Sequence, residues 1–254
     1  MDRPLEYTRT WSLTAGETDA RGLMPVTLVA ARAIETATRH ADALDIGYSN
    51  LVEHRLGWVL ARLTIEMVRY PSINETYSMT TWIEGYNRFF SDRCYLMTDA
   101  DGRPLAHIRS VWVAIDMQTR RMANLAELER DAFPVVERPC PVPKSPRPVL
   151  DRDAGVAESS YTFKNCDIDF NRHVNTIRYL DLVLNLRPLD FYDRHDIVLL
   201  DASFDHECYF GREVSLLTGR ERRDQSAEIT EIIRDDGERA VGVKLKYSPV
   251  EKKQ

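Results

Sequence analysis

The chain has 254 residues, 43% of them hydrophobic and 29% charged, with a formal net charge of −6 at pH 7. This length admits one large domain or two of ordinary size, and the composition is that of a soluble globular protein able to build a core without staples. The acidic balance argues against nucleic-acid binding, which needs a basic excess, and no apolar run approaches the ~20 residues that span a bilayer.

The first ten residues have neither an apolar signal region nor Ser/Arg-rich transit character, so a cytoplasmic protein is expected. Residues 5–13 alternate aromatic and Thr side chains as a strand does, and the polar turn 17–24 follows. Pro25 suits a first helical position. Val26, Val29, Ala30, Ala33, Ile34, Ala37, Ala41 and Leu44 then recur at helical spacing, with Gly47 just past the end. The alanines predict close approach of a sheet, and His40 is expected on the polar side. From Leu56 the period becomes two, with Val59, Ala61, Leu63, Ile65 and Met67 on one face. Strands follow at 76–84, 89–99 and 105–116, the last two joined by Asp101-Gly102, a hairpin signal.

Residues 134–148 hold six of the twelve prolines, a composition that favours extended polyproline geometry and marks a connector, not a core element. Arg138, Lys144 and Arg147 make it locally basic. We therefore divide the chain into 1–133, a Pro-rich linker 134–150, and 151–254. The order then recurs: a strand at 158–163, a polar loop, a helix ended with the help of Pro188, and strands at 197–210, 214–220, 227–234 and 240–247. This predicts an α+β fold, an internal duplication of a long helix wrapped by an antiparallel sheet. The four cysteines, Cys94, Cys140, Cys166 and Cys208, are far apart and form no C-x-x-C pair. Reduced thiols are expected, without a zinc site or a disulfide framework.

The chemistry concentrates in the second copy. Asp167, Asp169, Asn171, His173 and Asn175 occupy alternate positions directly before Val174, Ile177, Leu180 and Leu184, which have helical spacing. Any one of these polar residues could be a helix cap or a surface side chain. Together they offer an imidazole, carboxylates and amides at a helix start, where free N–H groups favour a developing oxyanion. The first copy has Glu17, Thr18 and Asp19 at that point, and no His or Asn.

The motif Asp167-Ile-Asp169-Phe-Asn171-Arg-His173-Val-Asn175 resembles the Asp-x-Asp-x-Asn-x-His-Val-Asn signature of the acyl-acyl-carrier-protein thioesterases, known from plant plastids and from bacteria. Residues 204–212, with Glu207-Cys208, resemble the family's downstream segment. Trp58-Val-Leu-Ala-Arg62, Arg69-Tyr-Pro71, Thr81-Trp82, Ser110-Val-Trp-Val113 and Thr119-Arg-Arg121 carry the likeness through the first half. The resemblance implies a double hot-dog fold, with an acyl-chain pocket in 1–133 and catalysis in 151–254. It implies hydrolysis of fatty acyl-acyl-carrier-protein, ending chain elongation, with the acyl carrier protein and its phosphopantetheine arm as partner and no cofactor or metal. Asp169, Asn171, His173 and Glu207 are the implied catalytic residues, and Cys208, once cast as a nucleophile, and Asn175 stand as further candidates. The sequence shows no transit peptide, which points to a bacterial member; a homodimer is an open expectation.

Within that reading, Glu207 activates water, His173 shares the proton, Asn171 positions water or carbonyl, Asp169 holds the loop, and helix-start N–H groups near 173–175 receive the oxyanion. Asp167 is assigned to capping. Alternation along a strand through 197–210 would set Cys208 on the apolar face and Glu207 on the polar one. The alternatives are an acyl-CoA thioesterase, or a hot-dog hydratase or dehydratase. The latter typically carries Asp-x-Asn-Pro-x-His, whereas here Asp169 and His173 are four apart and Arg172 follows Asn171.

Overall fold

In a computed structural model of the chain, residues 3–125 and 133–250 are described. The chain divides into two compact units, 1–143 and 144–254, so the boundary falls inside the proline-rich connector. The first unit runs β1 (Glu6–Ser12), a 3-10 turn at Ala15–Glu17, α1 (Val26–Ala43), α2 (Tyr48–Glu53), β2 (Leu56–Met67), β3 (Thr76–Tyr86), β4 (Phe90–Asp99) and β5 (Pro104–Asp116). The second runs β6 (Ala157–Thr162), a 3-10 turn at Asn165–Asp167, α3 (Thr176–Leu184), α4 (Leu189–Tyr192), β7 (His195–Phe204), β8 (Glu213–Glu221), β9 (Asp224–Arg234) and β10 (Arg239–Pro249).

Within the first unit the strand order is β1-β3-β4-β5-β2, and within the second β6-β8-β9-β10-β7, all antiparallel. Strand for strand these are the same order, so the duplication holds at the level of topology. The β4–β5 turn uses Gly102 at φ 80°, a left-handed conformation that costs glycine nothing. Asp99 completes it by accepting from the N–H groups of Asp101 and Arg103.

Packing explains the helical spacing. Val29, Ala30 and Ala33 of α1 are fully buried and the helix contacts β1 and β3, small side chains letting helix and sheet approach. In the second unit Leu180 and Val183 of α3 are buried, as are Leu200, Leu216 and Ile232 of the sheet. No helix among the described residues is long and apolar enough to cross a membrane.

The structure corrects several sequence expectations. His40 is fully buried: its Nε2 lies 2.9 Å from the Pro4 carbonyl oxygen and its Nδ1 2.7 Å from Arg93. Pro25 is the N-cap of α1, one residue before the helix proper. Gly47 does not end α1; it starts α2, where an added Cβ would run into Asp42. The alternation of β2 breaks at a register shift between Leu60 and Arg62, which turns Leu60 rather than Val59 inward. The connector, expected to stay out of the core, buries Val142 and Leu150, and Arg109 Nε donates to the Val142 carbonyl at 2.8 Å. Its prolines lack donors, but sheet side chains supply them.

Candidate active site

The polar loop before α3 is built on Asp169. Its Oδ1 accepts from the Asn171 and His173 N–H groups at 2.8 and 3.4 Å, and its own N–H donates to the His173 carbonyl at 2.8 Å. Arg172 takes φ 67° to close this turn. The first copy repeats the construction: Asp19 Oδ1 accepts from Arg21 and Leu23, Asp19 N–H donates to Leu23, and Gly22 takes φ 75°. Position for position, Arg21 stands for Asn171 and Leu23 for His173. The Met24 N–H meets the Pro71 carbonyl as the Val174 N–H meets that of Cys208, so Tyr70 stands for Glu207. One scaffold is folded twice, with Leu23 and Tyr70 in the first copy where the second has His173 and Glu207.

His173 Nδ1 lies 3.2 Å from Glu207 Oε1. The imidazole is half-buried, with the Tyr209 ring edge-on at 5.2 Å between centroids, and the Tyr209 hydroxyl lies 3.5 Å from Glu207 Oε2. Beside them opens a cavity of about 220 Å³ lined by Glu207, Cys208, Tyr209, Arg212, Arg234 and Asp235 among others. Asn171 is exposed and its side-chain amide has no hydrogen-bond partner among the described residues, so it is available to a ligand.

The strand expected through 210 ends at Phe204. Glu207 and Cys208 therefore lie in a loop, and it is the loop, not strand alternation, that sets their directions. Cys208 is nonetheless buried. Its N–H donates to the Tyr179 hydroxyl at 2.9 Å, and burial pushes its thiol above the ordinary range. A thiol so placed is a poor source of thiolate. Tyr179, whose own hydroxyl is raised by burial, anchors the segment that presents Glu207. Neither Tyr179 nor Tyr209 stands out in the sequence; Tyr179 looks there like one more large residue on an amphipathic helix.

Asn175 caps α3, its Oδ1 accepting from the Ile177 N–H at 2.9 Å. Asp167 is buried and caps its own turn, accepting from the Lys164 N–H at 2.7 Å and the Tyr161 hydroxyl at 3.0 Å. The N–H groups expected to receive an oxyanion are already used: His173 donates to Asp169, Val174 to Cys208 and Asn175 to Asp167. The loop spends them holding itself together, which a sequence pattern could not reveal.

Residues 4–131 match the acyl-ACP thioesterase N-terminal domain model, and residues 151–249 match the C-terminal one. The chain is 28% identical over 174 residues to oleoyl-acyl carrier protein thioesterase 2, chloroplastic, of Arabidopsis thaliana, covering 65% of this chain and 47% of that protein. It is 26% identical over 204 residues to the oleoyl-acyl carrier protein thioesterase, chloroplastic, of Coriandrum sativum, covering 74% and 54%. The chain thus spans about half the length of the curated relatives it matches. Among solved structures, an acyl-ACP thioesterase from Bacteroides thetaiotaomicron superposes with a TM-score of 0.87 at 29% identity, covering 96% of this chain and 98% of that one. The 12:0-ACP thioesterase from Umbellularia californica superposes at 0.82 with 21% identity, covering 97% and 98%, a likeness of fold. These neighbours support the double hot-dog, α+β architecture. With both of its halves matched by the family's two domain models, the chain belongs to the acyl-ACP thioesterase family.

Proposed function

We propose that this chain hydrolyses the thioester between a fatty acyl chain and the phosphopantetheine arm of acyl carrier protein, releasing free fatty acid. The observation that carries the reading is the His173–Glu207 contact at 3.2 Å, present in the copy whose loop also offers the exposed amide of Asn171. Glu207 takes a proton from water as its oxygen adds to the thioester carbonyl, and His173 shares that proton and delivers it to the departing pantetheine sulfur. Asn171 donates to the carbonyl oxygen as negative charge grows there, since the neighbouring backbone donors are engaged. Asp169 acts by holding both residues in one turn. Cys208, buried and raised, takes no covalent part. The first unit, with Ala30, Ala33 and Ala37 along α1, serves the acyl chain, and the second the chemistry.

The test is to incubate the protein with matched acyl-acyl-carrier-protein, acyl-CoA and enoyl thioesters while measuring free thiol and acyl products. Thiol release from the carrier-protein thioester with little from acyl-CoA supports the proposal. Preferential cleavage of acyl-CoA moves the substrate to coenzyme A, and a hydrated acyl chain without thiol release replaces hydrolysis with a hydratase reaction.

A further inference from the structure

The first unit brings together two cysteines that lie 46 positions apart in sequence. Register places Trp82, Cys94 and Arg109 side by side on β3, β4 and β5, and directly opposed residues share one face of a sheet. The connector crosses that face. Val136 N–H donates to the Ile83 carbonyl at 2.9 Å, Trp82 Nε1 to Arg138 at 3.1 Å, Cys140 N–H to Glu84 Oε1 at 2.9 Å, and Arg109 Nε to Val142 at 2.8 Å. Glu84 is also held bidentately by Arg109. These bonds set the connector with Arg138 over Trp82 and Val142 over Arg109, so that Cys140 lies over Cys94, its thiol donating to the Ile108 carbonyl oxygen at 3.6 Å.

The two sulfurs are unequal. Cys140 is half-buried, whereas Cys94 is wholly enclosed. The neighbouring Cys94 and the Arg109 guanidinium hold the Cys140 thiol below the usual range, against burial and the Glu84 carboxylate. The neighbouring Cys140, then burial, pushes Cys94 up. One half-buried sulfur backed by a hidden thiol is the arrangement of an attacking and a resolving cysteine.

We propose that Cys140 and Cys94 form a redox-active dithiol that small disulfides of the glutathione class oxidise to an intramolecular disulfide, joining the connector covalently to the first sheet. The Cys140 thiolate attacks one sulfur of the small disulfide, forming a mixed disulfide and expelling one small thiolate, which takes up the proton Cys140 lost. Cys94 then attacks the Cys140 sulfur, its proton passing to the second small thiolate as that leaves. Two protein thiols are oxidised and one small disulfide is reduced to two thiols. Dithiothreitol reverses both steps.

The test treats the full chain with glutathione disulfide, alkylates the remaining thiols after denaturation and maps peptides without reduction. The expected product is a linked Cys94–Cys140 peptide with Cys166 and Cys208 alkylated, and an intact mass, taken before alkylation, lower by two hydrogens than that of the reduced chain. Cys94→Ser should stop at glutathione on Cys140, and Cys140→Ser should yield neither species while leaving Cys94 alkylated. The wild-type map decides the matter even if a variant folds poorly. Stable glutathionylation of wild-type Cys140 without the linked peptide, or oxidation confined to the exposed Cys166, would overturn the assignment.

Discussion

Replacing Glu207 by glutamine keeps the size of the side chain and an oxygen that can still sit against His173 Nδ1, but removes the carboxylate proposed to take the proton from water. The contact spans 3.2 Å between side chains that are 22% and 30% exposed, so as an ion pair it contributes at most ~1 kcal/mol to stability. As a general base the carboxylate is worth about 10²- to 10⁴-fold in rate, or about 3 to 5 kcal/mol of barrier. The two roles therefore predict outcomes decades apart. The assay is thiol release from acyl-acyl-carrier-protein by Glu207→Gln at saturating substrate, beside a thermal melt of the same preparation. A loss of at least about a hundredfold with a nearly unchanged melt is expected. A turnover within about threefold of wild type, under ~0.7 kcal/mol of barrier, would refute the assignment and return attention to Cys208.

Cys208→Ala should keep most of its turnover and lose on the order of 1 kcal/mol for the small void it leaves; an acyl group trapped on Cys208 in the wild type would contradict this. Asp169→Ala strips the acceptor from two backbone N–H groups and should cost about 2 kcal/mol along with most activity. Asp169→Asn, which retains an acceptor oxygen, should recover much of the stability; equal melting curves for the two would argue that the turn holds itself. His40 provides a pH test, because burial, then the Arg93 charge, lowers its imidazole from 6.5 to about 4. Between those values the unfolded chain binds the extra proton, so stability is complete above pH ~6.5 and declines as pH falls towards 4, by about 3 kcal/mol in all. Denaturant titrations at several pH values should show that slope in the wild type and a flatter one in His40→Gln; parallel curves would mean that His40 stays protonated in the fold.

What the sequence determined by itself is everything set by neighbours along the chain. The period of two in residues 56–67, the helical spacing from Val26 to Leu44 and the Asp-Gly hairpins depend on local geometry, and they yielded nearly every element and the duplicated order. The Asp169 turn was equally legible, since its acceptor and donors lie within four residues. The tertiary structure decided whatever depends on how distant segments meet. Leu23 and His173 occupy equivalent positions in the two copies of the turn, but only the loop after β7 sets a carboxylate against the second of them. The N–H groups before α3 look free until residues 167 and 208 claim them. His40 looks polar until Arg93 and Pro4 surround it, and Cys94 and Cys140 look isolated until the connector lies across β3–β5. Each is a nonlocal contact fixed by register and packing, and one residue's shift would send a different side chain into the same space.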